Sequence, residues 1–148
     1  MQNAKVKLRG FVPSDLEKVM EIEKTSFPKR KAHSKKYFKK LYQKYPEGFI
    51  LAENKNEIVG YTIGQPKNDS TEIISLAVKP RFRQKGIGKK LINFLINYFK
   101  ERGIKGILLH VRTENKTGVA FYRNLGFKIL KTIKNYYRNG DDAYLMKK

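Results

Sequence analysis

Residues 88–102 carry the most restrictive pattern in the chain. Leu91, Leu95 and Phe99 recur every four positions with Ile92 and Ile96 beside them, and Gly103 stands where such a helix should stop. Apolar runs at 72–78 and 107–111 bracket this helix and read as strands. A strand, a helix and a strand in immediate succession close as a right-handed crossover, which makes the two strands parallel within one sheet. Every other segment has to be arranged around that unit.

Upstream, Val6-Lys7-Leu8-Arg9 alternates as a half-buried strand does. Ser14 and Glu17 have the spacing of a capping box, so a helix is expected from about Ser14, with Leu16, Val19 and Met20 as its buried stripe and an end near Phe27-Pro28. Tyr37, Phe38, Leu41, Tyr42 and Tyr45 repeat at three and four, which predicts a second helix over 34–45 whose opposite face is lysine. Segments 48–52, 58–63 and 72–78 read as two consecutive antiparallel hairpins, joined by Asn54-Lys55-Asn56-Glu57 and by residues 66–70. After 107–111, a short helix over 118–124 closes at Gly126, and 127–133 and 143–146 read as strands flanking Asn139-Gly140. The result is a mixed α/β (α+β) architecture, with about seven strands in a central, mostly antiparallel sheet and four helices on its faces. No linker, repeat or low-complexity stretch interrupts it, so residues 1–148 are expected to form a single domain.

Composition narrows the chemistry. The 148 residues are 40% apolar and include nine Phe and nine Tyr, enough for one sizeable core, and no run approaches the roughly 18 apolar residues of a membrane span. No membrane partner is expected. The absence of cysteine removes disulfides, thiolate nucleophiles and sulfur-ligated metals together. His33 and His110 are the only imidazoles, too few for a metal cluster, and none is expected; His33 lies in a basic loop and is expected to be solvated. Met1-Gln2-Asn3-Ala4-Lys5 has no apolar stretch of the secretory kind, so a cytoplasmic location is expected. Thirty-three Lys and Arg against 13 Asp and Glu give a net charge of +20, which favours an anionic partner such as RNA or the ribosome, or else serves solubility alone.

Arg83-Gln84-Lys85-Gly86-Ile87-Gly88 joins the 72–78 strand to the long helix. Two glycines allow close backbone approach where exposed N–H groups and the positive end of a helix dipole converge, a place suited to phosphate. Arg81, Arg83, Lys85, Lys89 and Lys90 add positive field there. The dinucleotide fingerprint fails because Leu91 stands where its third glycine belongs, and no Gly-x-x-x-x-Gly-Lys-[Ser/Thr] loop occurs.

The run from Val78 to Leu91, with Arg83, Gly86 and Gly88 at the fixed places of [Gln/Arg]-x-x-Gly-x-[Gly/Ala], resembles the acetyl-coenzyme A motif of the GNAT acyltransferase superfamily. Asn115 and Ala120-Phe121-Tyr122, followed by Gly126-Phe127, resemble the second half of the same binding site. Leu109-His110-Val111-Arg112, Glu114-Asn115, Asn135-Tyr136-Tyr137, Asp142-Ala143-Tyr144-Leu145-Met146 and Ser26-Phe27-Pro28 are similar to protein N-terminal acetyltransferases of the RimI and Nat kind.

The resemblance implies a splayed parallel pair holding acetyl-coenzyme A as cosubstrate. The pyrophosphate would lie on Arg83, Gln84, Lys85, Gly86, Ile87, Gly88 and Lys89, and the pantetheine along Leu76, Ala77 and Val78, with Asn115 beside it or simply capping a helix. It places Tyr122 near the sulfur as hydrogen donor, or else in the core, with Phe121 expected as the core ring. Phe27 and Pro28 on one side and Tyr136 and Tyr137 on the other would wall in a peptide's first residues, the alternative being plain packing.

A chain without cysteine forms no acetyl-thioenzyme, so direct attack in a ternary complex is the economical route. At pH 7, deprotonating an α-amine costs about 1 kcal/mol and a lysine about 4.6 kcal/mol, so a modest base serves an N-terminus. His110 suits that task as base or water anchor, unless it is an ordinary strand histidine; Glu72 is the other candidate. The expected activity is acetyl transfer to a protein N-terminus, with a ribosomal protein or nascent chain as substrate. The alternatives are lysine or small-amine acetylation, and a non-catalytic RNA-binding module.

Overall fold

The structure, a computed structural model, describes residues 5–28 and 31–148; Met1 to Ala4, which bear on the question of a leader segment, lie outside the described residues. The chain order is β1 (Lys7–Gly10), α1 (Leu16–Ser26), α2 (Lys35–Lys44), β2 (Phe49–Asn54), β3 (Glu57–Lys67), β4 (Ser70–Val78), α3 (Ile87–Lys100), β5 (Gly106–Arg112), α4 (Lys116–Asn124), β6 (Lys128–Ile133) and β7 (Ala143–Lys147). One seven-stranded sheet has the order β1-β2-β3-β4-β5-β7-β6. The expected mixed, mostly antiparallel sheet with four helices is the one observed, and β4–β5 is its parallel pair. No helix among the described residues is long and apolar enough to cross a membrane.

Two local expectations give way to longer-range forces. Ser14 caps no helix. Residues 13–15 form a single 3-10 turn, and it is Asp15 Oδ2 that accepts the Val12 N–H at 2.9 Å. The Arg9 guanidinium on β1 donates to both Asp15 oxygens, at 2.8 and 2.9 Å, and to Glu53 on β2 at 2.9 Å. A bidentate charged pair outcompetes a lone hydroxyl cap. The second hairpin is also tighter than its sequence suggests, with Pro66 inside β3 opposite Thr71 and a two-residue turn at Asn68-Asp69. Proline is tolerated there because β2 ends where Phe49 meets Ile63, leaving β3 one neighbour beyond that point.

Each face of the sheet has its own core. Phe11, Phe38, Phe49 and Tyr61 interlock under α1 and α2, with Phe38 edge-on to Phe49 at 5.9 Å and to Tyr61 at 5.7 Å. On the other face Leu91, Leu95 and Phe99 of α3 cover Val59 and Ile50, while Ile92 meets Ile107, Leu109 and Phe127. Each such ring or branched side chain, fully buried, contributes about 1.5–3 kcal/mol.

The sheet forks at its centre. β4 and β5 pair over four rungs only, the last being Ile73 opposite Leu109. Ile74 is then an extra residue, since Ile63 faces Ser75 and Gly64 faces Ile73, and this bulge bends β4 away. Beyond it Leu76, Ala77 and Val78 stay with β3, while His110, Val111 and Arg112 pair with β7.

Candidate active site

At one end of the fork, the edge of β4 that would have faced β5 is left open along Leu76, Ala77 and Val78. The 83–88 turn begins just past it. Gln84 and Gly86 take left-handed φ values of 61° and 83°, and Gly86 is the N-cap of α3. Lys90 is the first to bond back, its N–H donating to the Gly86 carbonyl at 3.1 Å, so the preceding first-turn N–H groups have no helical acceptor. These donors, close to the open edge, fit a pyrophosphate followed by an extended amide-bearing arm.

The two glycines serve different ends. Only Gly86 is demanded by φ, whereas Gly88 is demanded by packing, because a Cβ there would lie 3.0 Å from the Phe121 ring of α4. Phe121 therefore reaches the start of α3 rather than the core, and it is half-buried. The cations around the turn are also less uniform than their spacing suggests. Arg81 and Lys79 are engaged by Glu57, Arg81 at 2.6 Å and Lys79 at 2.9 Å. Arg83 donates from Nε to the Val78 carbonyl at 2.8 Å and from its terminal nitrogen to Ser26 Oγ at 3.2 Å, tying the turn to the end of α1.

The two alternative bases are partners. His110 Nδ1 lies 3.4 Å from Glu72 Oε2, in ion-pair range, with both side chains about nine-tenths buried. Glu72 precedes the last parallel rung and His110 follows it, so the pair sits in the crotch of the fork. The His110 contact holds the Glu72 carboxyl below the ordinary glutamate range; burial opposes this, and Lys67, 3.6 Å away, adds to it. The His110 ring stacks on Tyr136 at 4.3 Å, with planes 12° apart, and Tyr136 meets Tyr137 edge-on at 5.0 Å.

Tyr122 on α4 packs edge-on against Phe127 at 5.6 Å, and burial pushes its phenol well above the ordinary tyrosine value. Burial likewise pushes Tyr137 up to about 12. Asn115 caps α4, its Oδ1 accepting the Gly118 N–H at 2.9 Å, which leaves its amide N–H₂ to face other partners. Phe27 is half-buried against the core beneath α1 and α2, and Pro28 is exposed.

Several residues drawn into this region carry no local sequence signal. Tyr37 reads from its spacing as part of a buried stripe, yet it is exposed, and Glu72 acts on both Tyr37 and Tyr136. Arg112 lies over Tyr137 at 3.8 Å and binds Asp141 at 3.0 Å. Glu23, fully buried on α1, binds Tyr61, Ser75 Oγ at 3.2 Å and the His33 N–H at 2.7 Å. His33 is therefore anchored rather than freely solvated, with Nδ1 3.3 Å from Glu23 and its ring beside Tyr37 and Phe38. Apart from His33 and Tyr37, four residues apart, these pairings join residues at no helical or strand spacing, which is why periodicity misses them.

Comparison with known proteins bears on the family and the fold. Residues 16–127 fit the model described as acetyltransferase (GNAT) family. The chain is 36% identical over 140 residues to an uncharacterised N-acetyltransferase of Methanocaldococcus jannaschii, covering 94% of this chain and 88% of that one. It is 27% identical over 153 residues to an N-alpha-acetyltransferase of Sulfurisphaera tokodaii, covering 95% and 90%. Arabidopsis thaliana Naa50, solved in complex with the bisubstrate analogue CoA-Ac-MVNAL, superimposes with a TM-score of 0.82 at 28% identity over 97% of both chains.

Proposed function

Because the chain belongs to the acetyltransferase (GNAT) family, we propose that it moves an acetyl group from acetyl-coenzyme A to the α-amino group of a protein or peptide N-terminus, by direct attack in a ternary complex. The observation that carries this reading is the Glu72–His110 pair in the crotch of the fork, roofed by Tyr136, where an acyl group lying between β4 and β5 would meet an incoming amine. Similarity to an N-alpha-acetyltransferase and to a protein that accepts a CoA–peptide analogue supports both the donor and the acceptor.

The thioester supplies an activated acyl carbon, and the chain's own groups supply the rest. The first-turn N–H groups of α3, with Arg83 and Lys89, would hold the diphosphate. Leu76, Ala77 and Val78 would offer backbone to the pantetheine, and Asn115 its amide N–H₂. With Nδ1 directed at Glu72, Nε2 of His110 is the ring nitrogen left to take the amine's proton, directly or through water. That proton costs about 1 kcal/mol to remove from an α-amine at pH 7, against about 4.6 kcal/mol for lysine. Tyr122 acts on the leaving sulfur by hydrogen bonding. A full proton transfer from a phenol raised above 10 to a thiolate near 8.5 would be uphill by at least about 2 kcal/mol.

Phe27, Pro28, Tyr136 and Tyr137, with Tyr37, flank the path of a peptide's first residues. The net charge of +20 suits ribosomal proteins or nascent chains met near ribosomal RNA in the cytoplasm. The test is incubation with labelled acetyl-coenzyme A and a library of free N-terminal peptides, each with and without an internal lysine. Label on the α-amine is expected. Label confined to internal lysines or small amines, or RNA binding without turnover, would overturn the reading.

A further inference from the structure

The two walls of the cleft come from distant parts of the chain, and one side chain bridges them. Lys31, in the connection between α1 and α2, pairs its ammonium with Glu114 in the β5–α4 turn and lies 3.9 Å from Asp141 in the β6–β7 connection. Its side chain is only 22% exposed, although it sits in a loop. Asp141 is in turn gripped by Arg112 at 3.0 Å and by Asn139 at 2.9 Å. Arg112 underlies Tyr137, Tyr137 abuts Tyr136, and Tyr136 covers His110. Among the described residues, Lys31 thus supplies the ion pairs that run from the Phe27–Pro28 wall to the aromatic roof of the base.

We propose that Lys31 is a specificity-determining latch: its ammonium, shared between Glu114 and Asp141, bars the mouth of the cleft to a lysine within a chain while letting a free chain end thread beneath. The proposal rests on the α-amine reading above and goes beyond it by assigning the discrimination to one residue outside the reacting groups. An internal lysine brings chain on both sides, so its peptide must lie across the mouth where the bar stands. An N-terminus brings chain on one side only and can enter along the groove. The bar is light, since ion pairs partly open to water are weak and are screened by salt. It therefore opens for product release, and the selectivity it confers depends on ionic strength.

The test compares the full-length protein with Lys31→Ala, Lys31→Arg and Glu114→Gln. Two peptides are used, one with a free N-terminus and no lysine, the other N-terminally blocked with a single internal lysine. Thermal melting and calorimetric affinity for coenzyme A report folding and the cofactor side separately. In Lys31→Ala the ratio of kcat/KM for the first peptide over the second should fall about fivefold, the change an exposed ion-pair network of ordinary strength permits. If the unaltered protein has no measurable lysine activity, the expected readout is its appearance in the variant. Lys31→Arg should restore the ratio, and Glu114→Gln should lower it from the other side. Raising salt from 0.05 to 0.5 M should erode the ratio of the unaltered protein and leave that of Lys31→Ala flat. A well-folded Lys31→Ala with unchanged ratio and salt response overturns the latch alone. An unaltered protein that labels the blocked peptide but never the free N-terminus overturns the α-amine reading and the latch with it. Should Lys31→Ala fail to melt cooperatively, Glu114→Gln decides on the same criteria.

Discussion

Replacing Gly86 by alanine isolates the backbone geometry of the turn from its charge. Gly86 holds φ at 83°, and an L-residue in that region is strained by about 1–2 kcal/mol. If the turn keeps its shape, this strain falls on the folded state, partly offset by about 0.4–1 kcal/mol from the stiffer unfolded chain. At about 2–4 °C per kcal/mol for a protein of this size, the melting temperature then drops by at most about 6 °C. If the free turn instead relaxes to a negative φ, the strain has to be restored on binding, and the Kd for coenzyme A rises about 5- to 30-fold. Differential scanning calorimetry and titration calorimetry on the same sample read both quantities. Gly88→Ala is the counterpart: its helical backbone favours alanine by about 1 kcal/mol, but the new methyl group presses on Phe121. That variant should disturb α4 and the Tyr122 side of the site while the turn stays intact. A Gly86→Ala protein that moves neither melting temperature nor affinity would refute the claim that this left-handed residue shapes the binding surface.

Three further outcomes are expected. His110→Ala should cost about 10²–10⁴ in kcat/KM on an α-amine peptide, whereas Glu72→Gln should cost less; an unaltered kcat/KM in His110→Ala would assign the base to Glu72. Tyr122→Phe should lower kcat about 10²-fold with both KM values unchanged, and a rise in KM alone would make Tyr122 a packing residue. Asp15, held low chiefly by Arg9, and Glu72, held low chiefly by His110, have folded pKa values below those of the unfolded chain. Glu23 joins them, because hydrogen bonds from His33 and Tyr61 overcome the upward push of burial. The stability they contribute is complete above about pH 4.3 and is lost as pH falls further, so melting temperature should be level near neutrality and drop in acid. Asp15→Asn should lower stability at pH 7 by about 1.5–3 kcal/mol and shrink that drop, and an identical acid profile would count against the Arg9–Asp15 pair.

The crossover and its glycine turn are legible because their signals are local: a period of four in α3, a stop at Gly103, and two glycines at the start of a helix. The hairpins are legible for the same reason, and the first turn bears this out with Lys55 and Asn56 both left-handed. What escapes the sequence is long-range. Asp15 displaces Ser14 because Arg9 and Glu53 arrive from two strands; Pro66 fits its strand because β2 has already ended. The bulge at Ile74, which opens the fork, has no residue signature, and the Glu72–His110 contact arises only once four parallel rungs bring the strands into register. Tyr37, Lys31 and Arg112 acquire their places from loops folding over the sheet, and no spacing within one element encodes that.

The position of β7 bears on when such a protein could first become active. Translation to residue 142 would already have produced every side chain of the site described above, yet among the described residues β6, the base of the Tyr136 loop, pairs with β7 alone, and β5 past the fork has no other strand partner. The proposed catalytic groups would therefore all be synthesised before the strand that assembles them, and truncation just ahead of Ala143 should yield a chain that keeps its motifs and lacks turnover.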